Sequence, residues 1–235
     1  MNLLEKARER SWYHVLELGD GFVTDGWFDL RPFIKHYGLP EDMSGMRALE
    51  VGTWDGFWAF EMERRGAEVV ALDLDHEWDL DWPPRRQPKE WSQDRRGDGF
   101  RLAKEILGSK VERVNCSVYH AKPEDLGTFD FVFCGTVLIH LRDQLLALER
   151  IANLCSGQFI TAEEYDRSTS FLPFAASRYL ADRDKDVVFW LPSKRTWKRM
   201  LWTAGFERVE THTTFVMEAT NGLKVPHVVH HAFKS

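Results

Sequence analysis

Nothing in these 235 residues runs apolar for the about eighteen positions that a membrane-spanning helix needs, which argues against a bilayer-embedded chain. The first residues, with Glu5, Lys6, Arg8, Glu9 and Arg10, lack the apolar core of a signal peptide, so a cytoplasmic protein is expected. Cysteine is scarce. Cys116, Cys134 and Cys155 are odd in number and lack metal-ligand spacing, which excludes a disulfide framework and a thiolate metal centre, and no metal site is expected. Two of them lie in apolar strand-like runs, and all three are expected to be buried reduced thiols. Basic charge is short as well: 31 Lys and Arg face 37 Asp and Glu, a net charge of −6, without the phosphate-neutralising excess of a general nucleic-acid binder. The local pairs Arg85-Arg86, Arg95-Arg96, Lys194-Arg195 and Lys198-Arg199 read as solvated surface. There is no internal repeat and no low-complexity tract.

What is present is an α/β pattern in a chain of single-domain size, 43% of it hydrophobic. The run Arg47-Ala48-Leu49-Glu50-Val51-Gly52-Thr53-Trp54-Asp55-Gly56 reads as a buried strand leading into a glycine turn. A helical stretch follows, then a second buried strand, Val69-Val70-Ala71-Leu72-Asp73-Leu74-Asp75. This is the first half of a nucleotide-binding unit: Gly52 permits the turn, Gly56 lets the helix start close to a ligand, and Asp73 stands roughly twenty residues on, where such units hold ribose hydroxyls. Asp75 reads as a solvated loop aspartate.

The turn is poorly suited to a pyrophosphate. Trp54 replaces the middle glycine, and Glu50 before the turn would repel phosphates while suiting an amine or a sulfonium. On Glu50, Gly52 and Gly56 the stretch resembles motif I of the class I S-adenosylmethionine-dependent methyltransferases, departing at Trp54. The resemblance implies a Rossmann-like doubly wound sheet of seven strands, mostly parallel with an antiparallel last strand, and S-adenosylmethionine as cofactor. It places cofactor contacts at Glu50, Gly52, Thr53, Trp54, Gly56, Asp73 and Leu74, with the Trp54 side chain turned away from the ligand.

Past Asp75 the pattern breaks. Residues 76–99 hold Trp78, Trp82, Pro83, Pro84, Pro88 and Trp91 among charges, and are expected to form a lid at the ligand crevice. Downstream, periodicity predicts a helix over 100–107, strands over 111–116 and 129–134, an amphipathic helix over 142–154 and a fifth strand over 158–162. A helix over 196–204, stopped by Gly205, and closing strands over 206–212 and 227–233 complete the chain. Ligand contacts in such sheets come from strand ends. Ser117, Val118 and Tyr119 would flank an adenine, Gly135 and Thr136 would approach the methionine part of the cofactor, and Glu163 and Glu164 would face the substrate. His140, on the loop after the fourth strand, is the candidate general base.

Residues 1–45 are expected as a helical and aromatic cap on a domain spanning 46–235, with Trp12, Tyr13, His14, Trp27 and Phe28 as a possible substrate wall. This region and the segment Gly135-Thr136-Val137-Leu138-Ile139-His140-Leu141-Arg142 are similar to the tRNA wobble-uridine carboxymethyltransferase family. Ile139 stands where that family has a tyrosine that helps hold a carboxylated cofactor, so ordinary methyl donation to a small or medium organic acceptor is favoured over a tRNA base. A nicotinamide-dependent oxidoreductase is disfavoured by Trp54 and Glu50. A non-catalytic binding module is the remaining alternative.

Overall fold

A computed structural model describes residues 2–182 and 187–234. In chain order it contains α1 (Leu3–Arg8), β1 (Arg47–Val51), α2 (Phe57–Arg64), β2 (Glu68–Asp73), α3 (Asp98–Leu107), β3 (Glu112–Asn115), α4 (Pro123–Leu126) and β4 (Phe129–Gly135). The second half adds α5 (Gln144–Leu154), β5 (Cys155–Glu164), β6 (Ser177–Tyr179), β7 (Trp190–Pro192), α6 (Lys194–Thr203), β8 (Arg208–Glu218) and β9 (Lys224–Phe233).

Seven strands form one sheet in the order β3-β2-β1-β4-β5-β9-β8. β1 to β5 run parallel, and β9 lies antiparallel to both β5 and β8. The strand order reverses between β1 and β4, the switch point outside whose carboxyl ends ligands bind in open α/β sheets. Pairing of Val51 with both Leu72 and Cys134 brings the ends of β1, β2 and β4 level there.

Central strands are covered on both faces, which is why they read as unbroken apolar runs. Alternation sends Phe131 and Phe133 of β4 to one face, with Trp58, Met62 and Phe100 from α2 and α3, while Val132 and Cys134 meet Leu148, Ile151, Trp197 and Leu201 from α5 and α6 on the other. The segment expected as a helical cap is helical only at α1 and in a 3-10 turn at Arg31–His36. Trp12, Leu16, Leu30, Tyr37 and Met43 join the first of these clusters, so it is part of the core.

The closing strands extend beyond their expected limits because β8 and β9 are two arms of a long hairpin, turned at Gly222 with φ +84°. The β6–β7 hairpin has no counterpart in the periodicity, since each strand has only three residues and β6 is fully exposed. Among the described residues no helix is long and apolar enough to cross a membrane.

Candidate active site

A cavity of about 500 Å³ opens at the carboxyl ends of β1, β2, β3 and β4. Its floor is the glycine turn. Gly52 has φ +82°, and a Cβ there would lie 2.2 Å from Cγ2 of Val137, so the glycine is required for the loop after β4 to approach the loop after β1. Gly56, also at positive φ, is needed for a different reason than expected. Its missing side chain leaves room for the Phe60 and Phe100 rings, 2.5 and 2.7 Å from where a Cβ would stand, and it does not line the cavity.

Asp73 ends β2 at the cavity wall, accepting hydrogen bonds from the Trp54 N–H and the Leu74 N–H, both at 2.7 Å. A carboxylate offers about four lone-pair sites, so acceptor capacity remains for a diol. Trp54 is itself a lining residue, at φ +47°, with Tyr13 stacked on its ring at 4.4 Å and the Arg96 guanidinium 3.7 Å from its centre. It is therefore held at the cavity wall by its two neighbours rather than turned away, and Arg96 is not solvated surface.

Glu50 and Thr53 are buried behind the turn and do not line the cavity. The Thr53 hydroxyl donates to Glu50 at 2.5 Å, and burial pushes the Glu50 carboxyl up to about 8 despite that bond. A carboxyl that is protonated at neutral pH gives a cation little attraction, which corrects the electrostatic role expected of Glu50. Asp75 is also reassigned. It is buried, paired with Arg113 at 2.5 Å and with Arg101; burial would raise it, but these arginines outweigh burial and hold it below the usual carboxylate range.

Beyond β3, Cys116, Ser117, Val118, Tyr119 and His120 line one end, so Cys116 is a half-buried wall residue and not a core thiol. Beyond β4, Gly135, Thr136, Val137, His140 and Leu141 line the other. Nδ1 of His140 lies 2.5 Å from the Val187 carbonyl. That contact assigns the proton to Nδ1 and leaves the lone pair of the neutral ring on Nε2.

Glu163 and Glu164 do not reach the cavity. Glu163 is buried beneath the loop, accepting from the Val137 and Leu138 N–H groups at 3.2 and 3.3 Å, with burial pushing it up to about 8. It props the segment that carries His140.

Of the aromatic wall, Tyr13 and His14 are in place and Trp12, Trp27 and Phe28 are not. Trp12 is buried in the core, Phe28 packs behind Tyr13 at 5.0 Å, and Trp27 is 62% exposed, outside the cavity. The residue that seats Tyr13 and His14 is Asp55, which accepts from their N–H groups at 2.6 and 3.2 Å. Burial raises its carboxyl to about 6. Burial likewise lowers His14 to about 3, so its ring is neutral at the wall.

Residues 76–99 supply Glu77, Asp79, Leu80, Asp81, Trp82 and Arg96 to the cavity lining. Asp81 ties this segment across the mouth, accepting from the Tyr119 hydroxyl at 2.8 Å and the Arg142 N–H at 2.7 Å. Trp82 packs with Ala181, Val187 and Phe189, roofing the strand of chain that holds His140.

Residues 26–211 match the family model described as a methyltransferase domain. The chain belongs to that family. Over 104 residues this methyltransferase domain is 31% identical to the magnesium-protoporphyrin O-methyltransferase of Rhodobacter capsulatus, a segment that is 44% of this chain and 38% of that one. The N-terminal domain of EvdMO1, crystallised with S-adenosylhomocysteine and D-fucose, superposes with a TM-score of 0.70 at 19% identity, covering 100% of this chain and 98% of that one. The 1,6-didemethyltoxoflavin-N1-methyltransferase of Burkholderia thailandensis does so with a TM-score of 0.55 at 18% identity, covering 88% and 78%. These superpositions agree with the seven-stranded sheet and its single antiparallel strand. Within the methyltransferase domain, the residues fit an adenosyl sulfonium cofactor: Asp73 has spare acceptor capacity, the turn is floored by Gly52, and carboxylates far outnumber fixed cations along the cavity wall.

Proposed function

We propose that the chain transfers a methyl group from S-adenosylmethionine to a small or medium organic acceptor. When bound, the cofactor supplies a sulfonium-activated methyl group, so the protein's tasks are to orient, to exclude water and to receive a proton. Asp73 would take the ribose hydroxyls, Leu74, Ser117, Val118 and Tyr119 the adenine, and Gly52, Gly135 and Thr136 the methionine part. His140 would accept the acceptor's proton at Nε2, with Glu163 and Val187 positioning it. Trp82 packs on Val187 beside it, and Tyr13 and His14 line the same cavity.

The observation that carries this reading is Asp73 and His140 on one cavity at the switch point of the sheet. Names of relatives that act on a porphyrin and on a toxoflavin precursor support a small acceptor. The resemblance to the tRNA wobble-uridine family keeps a tRNA base as runner-up, but Ile139 is buried and offers no hydroxyl to a carboxylated cofactor. Calorimetric titration with S-adenosylhomocysteine and with NAD tests the cofactor, and methyl transfer from labelled S-adenosylmethionine to acceptor panels tests the activity. Saturable binding of S-adenosylhomocysteine alone is expected. Binding of NAD instead would replace the reading with an oxidoreductase, binding without turnover on any acceptor with a non-catalytic module, and steeply salt-dependent tRNA binding would favour the runner-up.

A further inference from the structure

Among the described residues lining the cavity, Arg96 is the only lysine or arginine, set against Asp73, Glu77, Asp79 and Asp81. Its placement is fixed from below. The Arg96 N–H donates to the Asp75 carbonyl at 2.8 Å, and Asp75 is pinned by Arg113 and Arg101. At Gly97 a Cβ would stand 2.5 Å from the Arg113 guanidinium and 2.7 Å from the Asp75 carboxylate, so the backbone lies directly on that ion pair.

The side chain then reaches over the Trp54 ring, on which Tyr13 also stacks. Asp73, Asp55 and Glu77 act on the guanidinium electrostatically, but each carboxylate already holds other donors: Asp73 the Trp54 and Leu74 N–H groups, Asp55 those of Tyr13 and His14, and Glu77 the Ser92 N–H at 3.1 Å. Nε of Arg96 is buried without a hydrogen-bond partner. A half-buried guanidinium with an unbonded N–H, in a cavity whose other charged side chains are carboxylates, is suited to an anionic ligand group.

We propose that Arg96 binds the amino-acid carboxylate of S-adenosylmethionine. The inference rests on the cofactor reading above and assigns a residue that the glycine turn and the strand ends do not include. The carboxylates along the wall would repel the cofactor's own anion, and the planar fork of an arginine matches a carboxylate in two parallel hydrogen bonds. The neighbours of Arg96 are Trp54, Tyr13 and Asp73, at the turn and ribose end of the cavity, whereas His140 is held by Val187. The seat of Arg96 on Trp54, at the turn that floors the cavity, favours the cofactor's carboxylate over one on an acceptor. It also makes the lid segment a cofactor-sensing element, because Arg96 belongs to it.

Calorimetry with two probes tests this. S-adenosylhomocysteine carries the amino-acid tail, and 5′-methylthioadenosine keeps the nucleoside and thioether without it. Arg96→Gln is expected to weaken S-adenosylhomocysteine about tenfold or more while 5′-methylthioadenosine stays within about twofold of the unsubstituted protein, and Arg96→Lys, which keeps the charge and loses the fork, should fall between. Equal loss of both probes would overturn the inference by showing that Arg96 merely braces Trp54. Unchanged binding of both would also overturn it, moving the anion to the acceptor. If the unsubstituted protein bound neither probe, the cofactor reading itself would fall and the inference with it.

Discussion

A histidine serves as a base only through the nitrogen that its partner leaves unprotonated, and at His140 the Val187 carbonyl makes that choice by engaging Nδ1. Replacing His140 by Gln is expected to lower turnover about tenfold or more, some 1.4 kcal/mol of transition-state stabilisation, with S-adenosylhomocysteine affinity unchanged. A smaller loss in steady-state assays would leave His140 a positioning residue. Gly52 permits a sharper test of the neighbouring loop. Gly52→Ala drives a methyl group against Val137, at a φ of +82° that disfavours any side chain, and should cost about 1–3 kcal/mol in urea unfolding. Val137→Ala in the same chain should recover part of that loss, and an absence of recovery would mean that backbone strain alone is responsible. Asp73 was legible at this scale because an apolar run ends there and strand ends face ligands. Glu50 and Glu163 were misread for the complementary reason: both stand inside strands, so their side chains go to the layers packed on the sheet and not to its edge. Asp55 was missed because its partners, the N–H groups of Tyr13 and His14, are some forty residues away in sequence, beyond any local pattern.

At the scale of elements, the segment 76–99 announced itself through tryptophan and proline, but its fastening did not. The latch depends on Asp81, whose partners Tyr119 and Arg142 come from the loops after β3 and β4. An Asp81→Asn change keeps the shape and removes the charge, and is expected to open the segment by about 1 kcal/mol, roughly fivefold in population. Trypsin, with Arg85, Arg86, Lys89 and Arg95 as sites, reports that population. Cleavage within 76–99 should be faster in Asp81→Asn than in the unsubstituted protein, and slowed in both by S-adenosylhomocysteine. Cutting that ignores both the substitution and the ligand would remove the lid assignment. Regular elements were readable wherever burial imposes a period, as in β1, β4 and α5. The β6–β7 hairpin was not, because three residues per strand are too few to show a period and β6 is exposed throughout, and β8 was cut short because its surface is mostly polar.

For the whole molecule, the buried titratable groups set how stability varies with pH. Folding raises Glu50 and Glu163 to about 8 and Asp55 to about 6, in each case chiefly through burial, so above their unfolded values the folded chain holds protons that the unfolded chain has released. That contribution is complete below the unfolded carboxyl range and is lost as pH rises through the folded values. Burial acts in the opposite sense on His14 and His230, lowered to about 3, on His227, lowered to about 4, and on His231, also lowered: below about 6.5 the unfolded chain takes up protons that the folded chain refuses, and stability rises with pH. Between about pH 4.5 and 6 these histidines and the three carboxyls therefore oppose each other. From about 6.5 to 8 the raised carboxyls of Glu50 and Glu163 still titrate in the folded chain, and each removes at most about 1.4 kcal/mol per pH unit. The melting temperature is expected to be nearly level between about pH 4.5 and 6.5 and then to fall toward pH 8. Glu163→Gln, which keeps the acceptor oxygen for Val137 and Leu138, should remove about half of that fall and, with one opposing carboxyl gone, let the histidines tilt the region from about pH 4.5 to 6 upward with pH. A melting temperature that climbs steadily through pH 8 would show that these two carboxyls are ionised in the folded protein, and would restore to Glu50 the negative charge that its burial denies it.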